Sequence, residues 1–306
     1  MANLVKDTAA YQLLRRLWRR RFAMRSANRF LQFAPPGHFY SPIPDVTYVQ
    51  QHSSRLFDRQ LQHVSGIAIH ADAQRALIER FARFYEEMPF RAEKSHGLRY
   101  HFDNEYFSYG DAISLYSMLR CFQPRRVVEV GSGYSSAVML DTNDRFLSRS
   151  IKFTFIDPNP ERLQSLLDDR DQGNHEVIAA DVQNVPLERF QSLEANDVLL
   201  IDSSHVIKIG SDVVYLLSVV LPSLNRGVFV HVHDIFWPFE YPEEWILDGR
   251  AWNEAYALKA FLQFNSSFEI LLFNSYLSIH HKDVLERHLP LFLRNPGGSI
   301  WLRKTG

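Results

Sequence analysis

Residues 126–136, RVVEVGSGYSS, decide the fold. A valine-rich run stops at two glycines one residue apart, and SAVMLDTND (136–144) continues with helical composition. The reading is strand, tight turn, helix. Glycines at such a turn let the backbone reverse and let a ligand approach the N-terminus of the helix that follows.

The same alternation extends outward. IKFTFID (151–157), HEVIAAD (175–181), DVLLID (197–202) and VFVHV (228–232) read as further strands. Helical stretches, PERLQSLLDDR (160–170) and IGSDVVYLLSVVLPSL (209–224), lie between some of them. Short apolar strands joined by helical crossovers imply an α/β, doubly wound, Rossmann-like, mostly parallel sheet. FEILLFN (268–274) and SIWLRK (299–304) add two late strands, separated by a loop containing PGG, for seven in all. Upstream, residues 72–88 and 110–122 read as helices, the first stopped by Pro89 and the second capped by Asp111. A helical N-terminal extension, 1–60, precedes a domain over 61–306 with its core at 125–304. Within the extension, FAPPGHFYSPIPD (33–45) is expected to cross the surface as an ordered loop that buries Phe33, Phe39, Tyr40 and Ile43.

In a doubly wound sheet, ligands bind beyond the carboxyl ends of the strands. Those ends carry Glu129 with Gly131 and Gly133, then Asp157, Asp181, Asp202, and finally His233 with Asp234. A carboxylate after the second strand can accept hydrogen bonds from both hydroxyls of a ribose, and one after the third can accept from an adenine amino group. Acids after three successive strands argue against their all being turn residues.

Glu129-Val130-Gly131-Ser132-Gly133, Asp157, the AAD ending at Asp181, LLIDSSH and the terminal strand pair resemble class I S-adenosylmethionine-dependent methyltransferases over roughly residues 100–304. The likeness is to the branch with IDxxH and HD at its fourth and fifth strand ends. The resemblance implies that Gly131 and Gly133 face the methionine part of S-adenosyl-L-methionine, Asp157 the ribose and Asp181 the adenine. Glu129, Ser132, Tyr134, Ser135, Val182 and Asp202 complete the expected cofactor-binding set. Where the family often carries a third glycine, this chain has Ser135. The resemblance also accounts for the late strands, since that sheet ends in an antiparallel pair.

VFVHVHD (228–234) ends a buried strand in two imidazoles and a carboxylate. By the same resemblance, His233 and Asp234 stand beside Asp202 and His205 above the cofactor's methyl group. Transfer to an alcohol or phenol requires loss of a proton, which a histidine can accept near neutral pH. The catalytic set is therefore Asp202, His205, His233 and Asp234. A second route is a divalent cation such as Mg2+ on Asp202, His233 and Asp234, which would lower the hydroxyl's pKa by coordination. His231, two residues deeper, reads as a hydrogen-bonded core histidine. The aromatic segment after Asp234 is expected to form a lid with Trp237, Phe239, Tyr241 and Trp245 as walls, while Tyr256, Leu258 and Phe261 are core. Tyr106, Tyr109 and Asp111 are expected to close the other side.

A formal net charge of -1 provides no global field for nucleic acid, and the expected acceptor is a small-molecule or sugar-like (glycan-like) hydroxyl compound. The single cysteine, Cys121, excludes an intrachain disulfide framework. With no apolar run of membrane-span length and no secretory signal, the expected location is cytoplasmic. Residues 11–30 carry seven arginines and no acid, a basic helix able to meet the inner membrane surface or a protein partner. Two other functions fit parts of the pattern: an NAD(P)-dependent oxidoreductase, and a non-catalytic module tethered through the basic helix.

Overall fold

The computed structural model describes residues 31–306 except Gln172 and Asn174. The basic stretch 11–30 lies outside the described residues. Contacts divide the chain into two units: residues 57–245 with 252–306, and residues up to 56 with 246–251.

In the smaller unit, helices α1 (Val46–Gln51) and α2 (Ser53–Leu56) follow the proline-rich loop. The Asp45 carboxylate caps α1 by accepting from the Thr47 and Tyr48 amides. The expected burial of the loop's apolar side chains is corrected: Phe33 and Phe39 are each 81 % exposed, and Tyr40 and Ile43 are also exposed. The prolines fix the chain direction without giving those rings a surface to cover them.

In the larger unit, α3 (Ala71–Tyr85) and α4 (Tyr109–Phe122) precede β1 (Arg126–Val130). Asp111 does not cap α4: Ser108 holds the cap position, and Asp111 is buried inside the first turn. There follow α5 (Tyr134–Phe146), β2 (Lys152–Ile156), α6 (Glu161–Leu166), β3 (His175–Ile178), α7 (Glu188–Gln191) and β4 (Val198–Ile201). Next come α8 (Asp212–Tyr215), which continues as a π-turn over Leu216–Val220, and β5 (Phe229–Val232). Then come α9 (Glu254–Leu262) and β6 (Phe268–Phe273). The link to β7 (Ile300–Lys304) is more than the expected loop, because it contains α10 (Asn274–His280) and α11 (Lys282–His288). Burial of Leu277, Val284, Leu285 and Leu289 explains why this segment is helical.

The sheet runs β3-β2-β1-β4-β5-β7-β6. Neighbouring pairs are parallel except where β7 pairs antiparallel with both β5 and β6. β4 and β5 are buried along their whole length, which is why their sequences are unbroken apolar runs rather than alternating ones. The strand order reverses between β1 and β4, where a crevice opens at the carboxyl ends.

At the opposite end, buried Asp197 ties β4 to β1. One of its oxygens accepts from the amides of Arg125 (3.0 Å) and Arg126 (2.9 Å), and the other from Glu194 (3.0 Å). Asp197→Ala leaves three amides unpaired and should cost about 3 kcal/mol in denaturant unfolding.

Candidate active site

The crevice holds a cavity of about 480 Å³, within the size range of small-molecule sites. Of the expected cofactor set, it is lined by Gly131, Ser132, Asp157, Asp181, Val182 and Asp202. The turn after β1 is built for close approach. Gly131 has φ +80°, and a Cβ there would overlap the Asp202 carbonyl oxygen. Its amide donates to Ile156 O (2.9 Å), while the Asp202 amide donates to Val130 O (2.8 Å), so three strand ends are laced together.

Asp157 is oriented by backbone. One oxygen accepts from the Ser132 amide (2.9 Å) and hydroxyl (3.1 Å), the other from the Asn159 amide (2.8 Å). A carboxylate has about four lone-pair sites, so capacity remains for a ligand hydroxyl. Asp181 lies beyond the end of β3, just before a short 3-10 turn over Val182–Asn184, and its side chain is exposed at the rim.

Glu129, Gly133, Tyr134 and Ser135 do not line this cavity. Glu129 is fully buried under the glycine turn, accepting from the hydroxyls of Ser135 (2.5 Å) and Ser136. Burial pushes its pKa up to about 8 despite those hydrogen bonds. The serine in place of a third glycine therefore holds the floor of the turn. Tyr134 stacks at 6.1 Å on Tyr106, which in turn carries the Arg162 guanidinium 3.8 Å from its ring centre.

Beside the cavity, Asp202 and Asp234 flank one imidazole. His205 Nε2 lies 3.4 Å from Asp202 Oδ1 and 3.7 Å from Asp234 Oδ2. Its Nδ1 lies 2.8 Å from the buried carboxylate of Glu254, which also accepts from the Ser203 hydroxyl (2.8 Å). Trp252 packs on the imidazole at 4.3 Å between ring centres. His205 and Asp234 both occupy the left-handed region, at φ 59° and 56°. Non-glycine residues rarely do so, and strain of this kind clusters at functional sites. His233 Nε2 lies 3.7 Å from Asp234 Oδ1, so each oxygen of Asp234 faces an imidazole.

Electrostatics separate the roles. Burial alone would lower the pKa of His205, but Asp202 and Glu254 outweigh it and raise the value to about 10, so this ring is an imidazolium at neutral pH. Burial would raise Asp202, and the facing imidazoles instead bring it below the ordinary value. Because the folded-state pKa of His205 is raised from 6.5, its stabilising contribution is complete below about pH 6.5 and is lost as pH rises through about 10. Unfolding free energy of His205→Gln should therefore fall less steeply than that of the parent between pH 7 and 10.

Among the described residues no group of three His, Cys, Asp or Glu side chains is arranged to hold a metal ion. The His205 imidazolium stands between Asp202 and Asp234 and supplies the positive charge there, and a nitrogen from His233 would not complete an oxygen set suited to magnesium.

The lid is corrected in part. Trp237, Phe239 and Tyr241 are fully buried packing residues. Trp245 is half-buried and meets Trp252 edge-on at 5.4 Å. Tyr256, assigned to the core, is 43 % exposed, because its hydroxyl donates to Glu240 (2.5 Å). Tyr109 is buried and donates to Asp103 (2.9 Å). His231 is a buried core histidine, 2.8 Å from Ser299 Oγ.

Sequence reading missed Ser203, Ser204, Lys208 and Arg162, which line the cavity, and Glu254 and Trp252, which contact His205. The two serines directly follow Asp202 and were open to detection. Glu254 lies 49 residues beyond His205, and no spacing rule connects them.

Residues 128–235 match the family described as "Methyltransferase domain". With the strand order and the acid-ended crevice, that match makes the chain a member of the class I S-adenosylmethionine-dependent methyltransferases. It is 32 % identical over 167 residues to an uncharacterised protein of Archaeoglobus fulgidus, an alignment covering 53 % of this chain and 74 % of that one. Among solved structures, the SAH-bound Podospora anserina methyltransferase PaMTH1 is similar at 14 % identity and TM-score 0.42, over 87 % of this chain and 99 % of that chain. The O-methyltransferase TomG from Streptomyces achromogenes, in complex with SAM, is similar at 14 % identity and TM-score 0.40, over 85 % and 96 %. Both likenesses are distant, and the fold assignment rests on the strand order. Among the described residues no helix is long and apolar enough to cross a membrane.

Proposed function

We propose that the protein transfers a methyl group from S-adenosylmethionine to a hydroxyl of a small or sugar-like acceptor. The observation that carries this reading is the juxtaposition of the acid-lined cavity at the strand-order switch with the Asp202–His205–Asp234 cluster at its edge. The cavity fits the cofactor: Asp157 would accept from the ribose, Asp181 and Val182 would lie toward the adenine, and Gly131 and Ser132 toward the methionine end. Bound there, the cofactor supplies an electrophilic methyl group on a sulfonium.

The chain's own task is the acceptor's proton. His205, held as an imidazolium by Asp202 and Glu254, fixes the carboxylates and is unsuited to be the base. The proton goes instead to the coupled His233–Asp234 pair. Burial opposes a charged His233, but Asp234 and Asp202 raise its pKa above 6.5. A base with a raised pKa works only after losing its proton, so kcat/KM should increase with pH through a midpoint above 6.5 and then level off. In His233→Gln that ionisation should disappear from the profile and kcat should fall about 100-fold.

The oxidoreductase alternative implies an all-parallel order 3-2-1-4-5-6, from which the antiparallel β7 between β5 and β6 departs. The test is mass-spectrometric detection of methyl transfer across a panel of hydroxylated acceptors, with and without a chelator. Methylated product that survives chelation supports the reading. Product formed only with added divalent metal would overturn the histidine–carboxylate route.

A further inference from the structure

A second polar cluster lies beneath the site, and the proton step above makes no use of it. Asp111, in the first turn of α4, is 4 % exposed. Its Oδ1 accepts from Ser299 Oγ at 2.5 Å and from Asn274 Nδ2 at 3.3 Å. Ser299 Oγ also lies 2.8 Å from His231 Nε2. A serine hydroxyl has one proton, and here it points to Asp111, so His231 Nε2 is the donor in the second contact. That fixes the tautomer of His231 and leaves its Nδ1 a bare acceptor. Burial keeps this ring neutral, with a pKa well below the ordinary value.

Three buried atoms of this cluster lack a hydrogen-bond partner: His231 Nδ1, His233 Nδ1 and Asn274 Oδ1. Buried polar groups of folded proteins are nearly always paired, directly or through ordered water. Here two atoms are acceptors and one, on a protonated His233, is a donor. The two rings lie 5.9 Å apart between centres, a spacing that one bridging molecule able both to donate and to accept can span.

The backbone around the cluster is packed to hold it still. A Cβ on Gly297 would overlap the Asp111 carboxylate, and one on Gly110 would overlap the Pro296 carbonyl. A Cβ on Gly298 would come within 3.0 Å of Asp234 Cα. The Ile235 amide donates to Gly298 O and the Gly110 amide to Asn295 O, both at 2.7 Å. The PGG turn thus locks the start of α4 against the left-handed turn at Asp234.

We propose that Asp111 is a positioning residue of the active site: through Ser299 and His231, and a buried water between the two imidazoles, it anchors the ring of His233. The inference rests on the functional reading above for what His233 does, but not for how it is held. The groups facing His233 are His231 and Asp234 from β5 and its end, Asp202 and His205 from the end of β4, and Asp111 from α4. Phe107 covers the ring at 5.0 Å.

The experiment is imidazole NMR of the whole protein, with the His233 signal assigned from His233→Gln, titrated in the parent and in Asp111→Asn. Loss of the buried negative charge should lower the His233 midpoint by about one pH unit. The midpoint of the kcat/KM profile should move with it while the calorimetric Kd for S-adenosylhomocysteine stays unchanged. If Asp111→Asn does not fold, Ser299→Ala breaks the same chain with Asp111 in place and should shift the His233 midpoint in the same direction. A His233 midpoint unmoved in the folded variants would make Asp111 a packing residue only and overturn the proposal. Because the NMR titration needs neither cofactor nor acceptor, it stands even if the parent fails to bind S-adenosylhomocysteine, a result that would count against the functional reading instead.

Discussion

Asp157→Ala should weaken binding of S-adenosylhomocysteine about 100-fold or more while leaving the thermal midpoint close to that of the parent. Hydrogen bonds to a charged group contribute about 1.5–3 kcal/mol each, and loss of a ribose's two hydroxyl contacts at the low end of that range already amounts to about two factors of ten. The side chain also orients the Ser132 amide and hydroxyl and the Asn159 amide, so the turn that receives the ligand loosens with it. Asn159 is exposed, and Ser132 and Asp157 line the cavity, where water replaces the lost partner, and this is why stability should change little. Asp181→Ala, which removes an exposed carboxylate with fewer contacts, should cost about tenfold. Calorimetric titration of the three proteins reads all of these outcomes. Equal affinities would show that the ligand does not meet the end of β2.

Gly131→Val should cost about 4 kcal/mol and leave little folded protein. Two independent penalties add there: φ is +80°, where a β-branched residue is strained, and the new Cβ would overlap the Asp202 carbonyl oxygen at the end of β4. Moving that oxygen would disturb the Asp202 amide bond to Val130 and hence the β1–β4 pairing itself. Gly210 separates the two effects. It also has positive φ, at +74°, but a Cβ there meets nothing within 4 Å, so Gly210→Ala should cost about 1 kcal/mol. Denaturant unfolding of both variants checks the contrast. A Gly131 substitution no more costly than Gly210→Ala would mean the turn adjusts freely.

The strands were legible because most are short apolar runs, and β1, β2 and β4 stop directly at Gly131, Asp157 and Asp202, as central strands buried in a parallel sheet do. The cavity residues after β1, β2 and β4 were legible for the same reason, since they are the residues at which those runs stop. What could not be read are relations between distant segments. Glu254 makes His205 a cation from a helix that no local pattern links to LLIDSSH. Asp111 looked like a helix cap, because an acid in the first turn of a helix is ordinary, and only its burial against Ser299 and the PGG turn reveals its actual contacts. Nor could local pattern show that the His205 imidazole lies between the carboxylates of Asp202 and Asp234. The aromatic run after Asp234 suggested a lid, yet composition does not tell a wall from a core, and three of its four rings are core.

The most direct measurement is calorimetric titration of the full chain with S-adenosylmethionine and with S-adenosylhomocysteine, with NAD as the control. Saturable one-to-one binding of the first two, with Kd on the order of micromolar, and no heat from NAD is the expected result. A folded protein that binds neither, or that binds NAD in their place, would contradict the assignment of the cavity at the strand-order switch to a methyl donor.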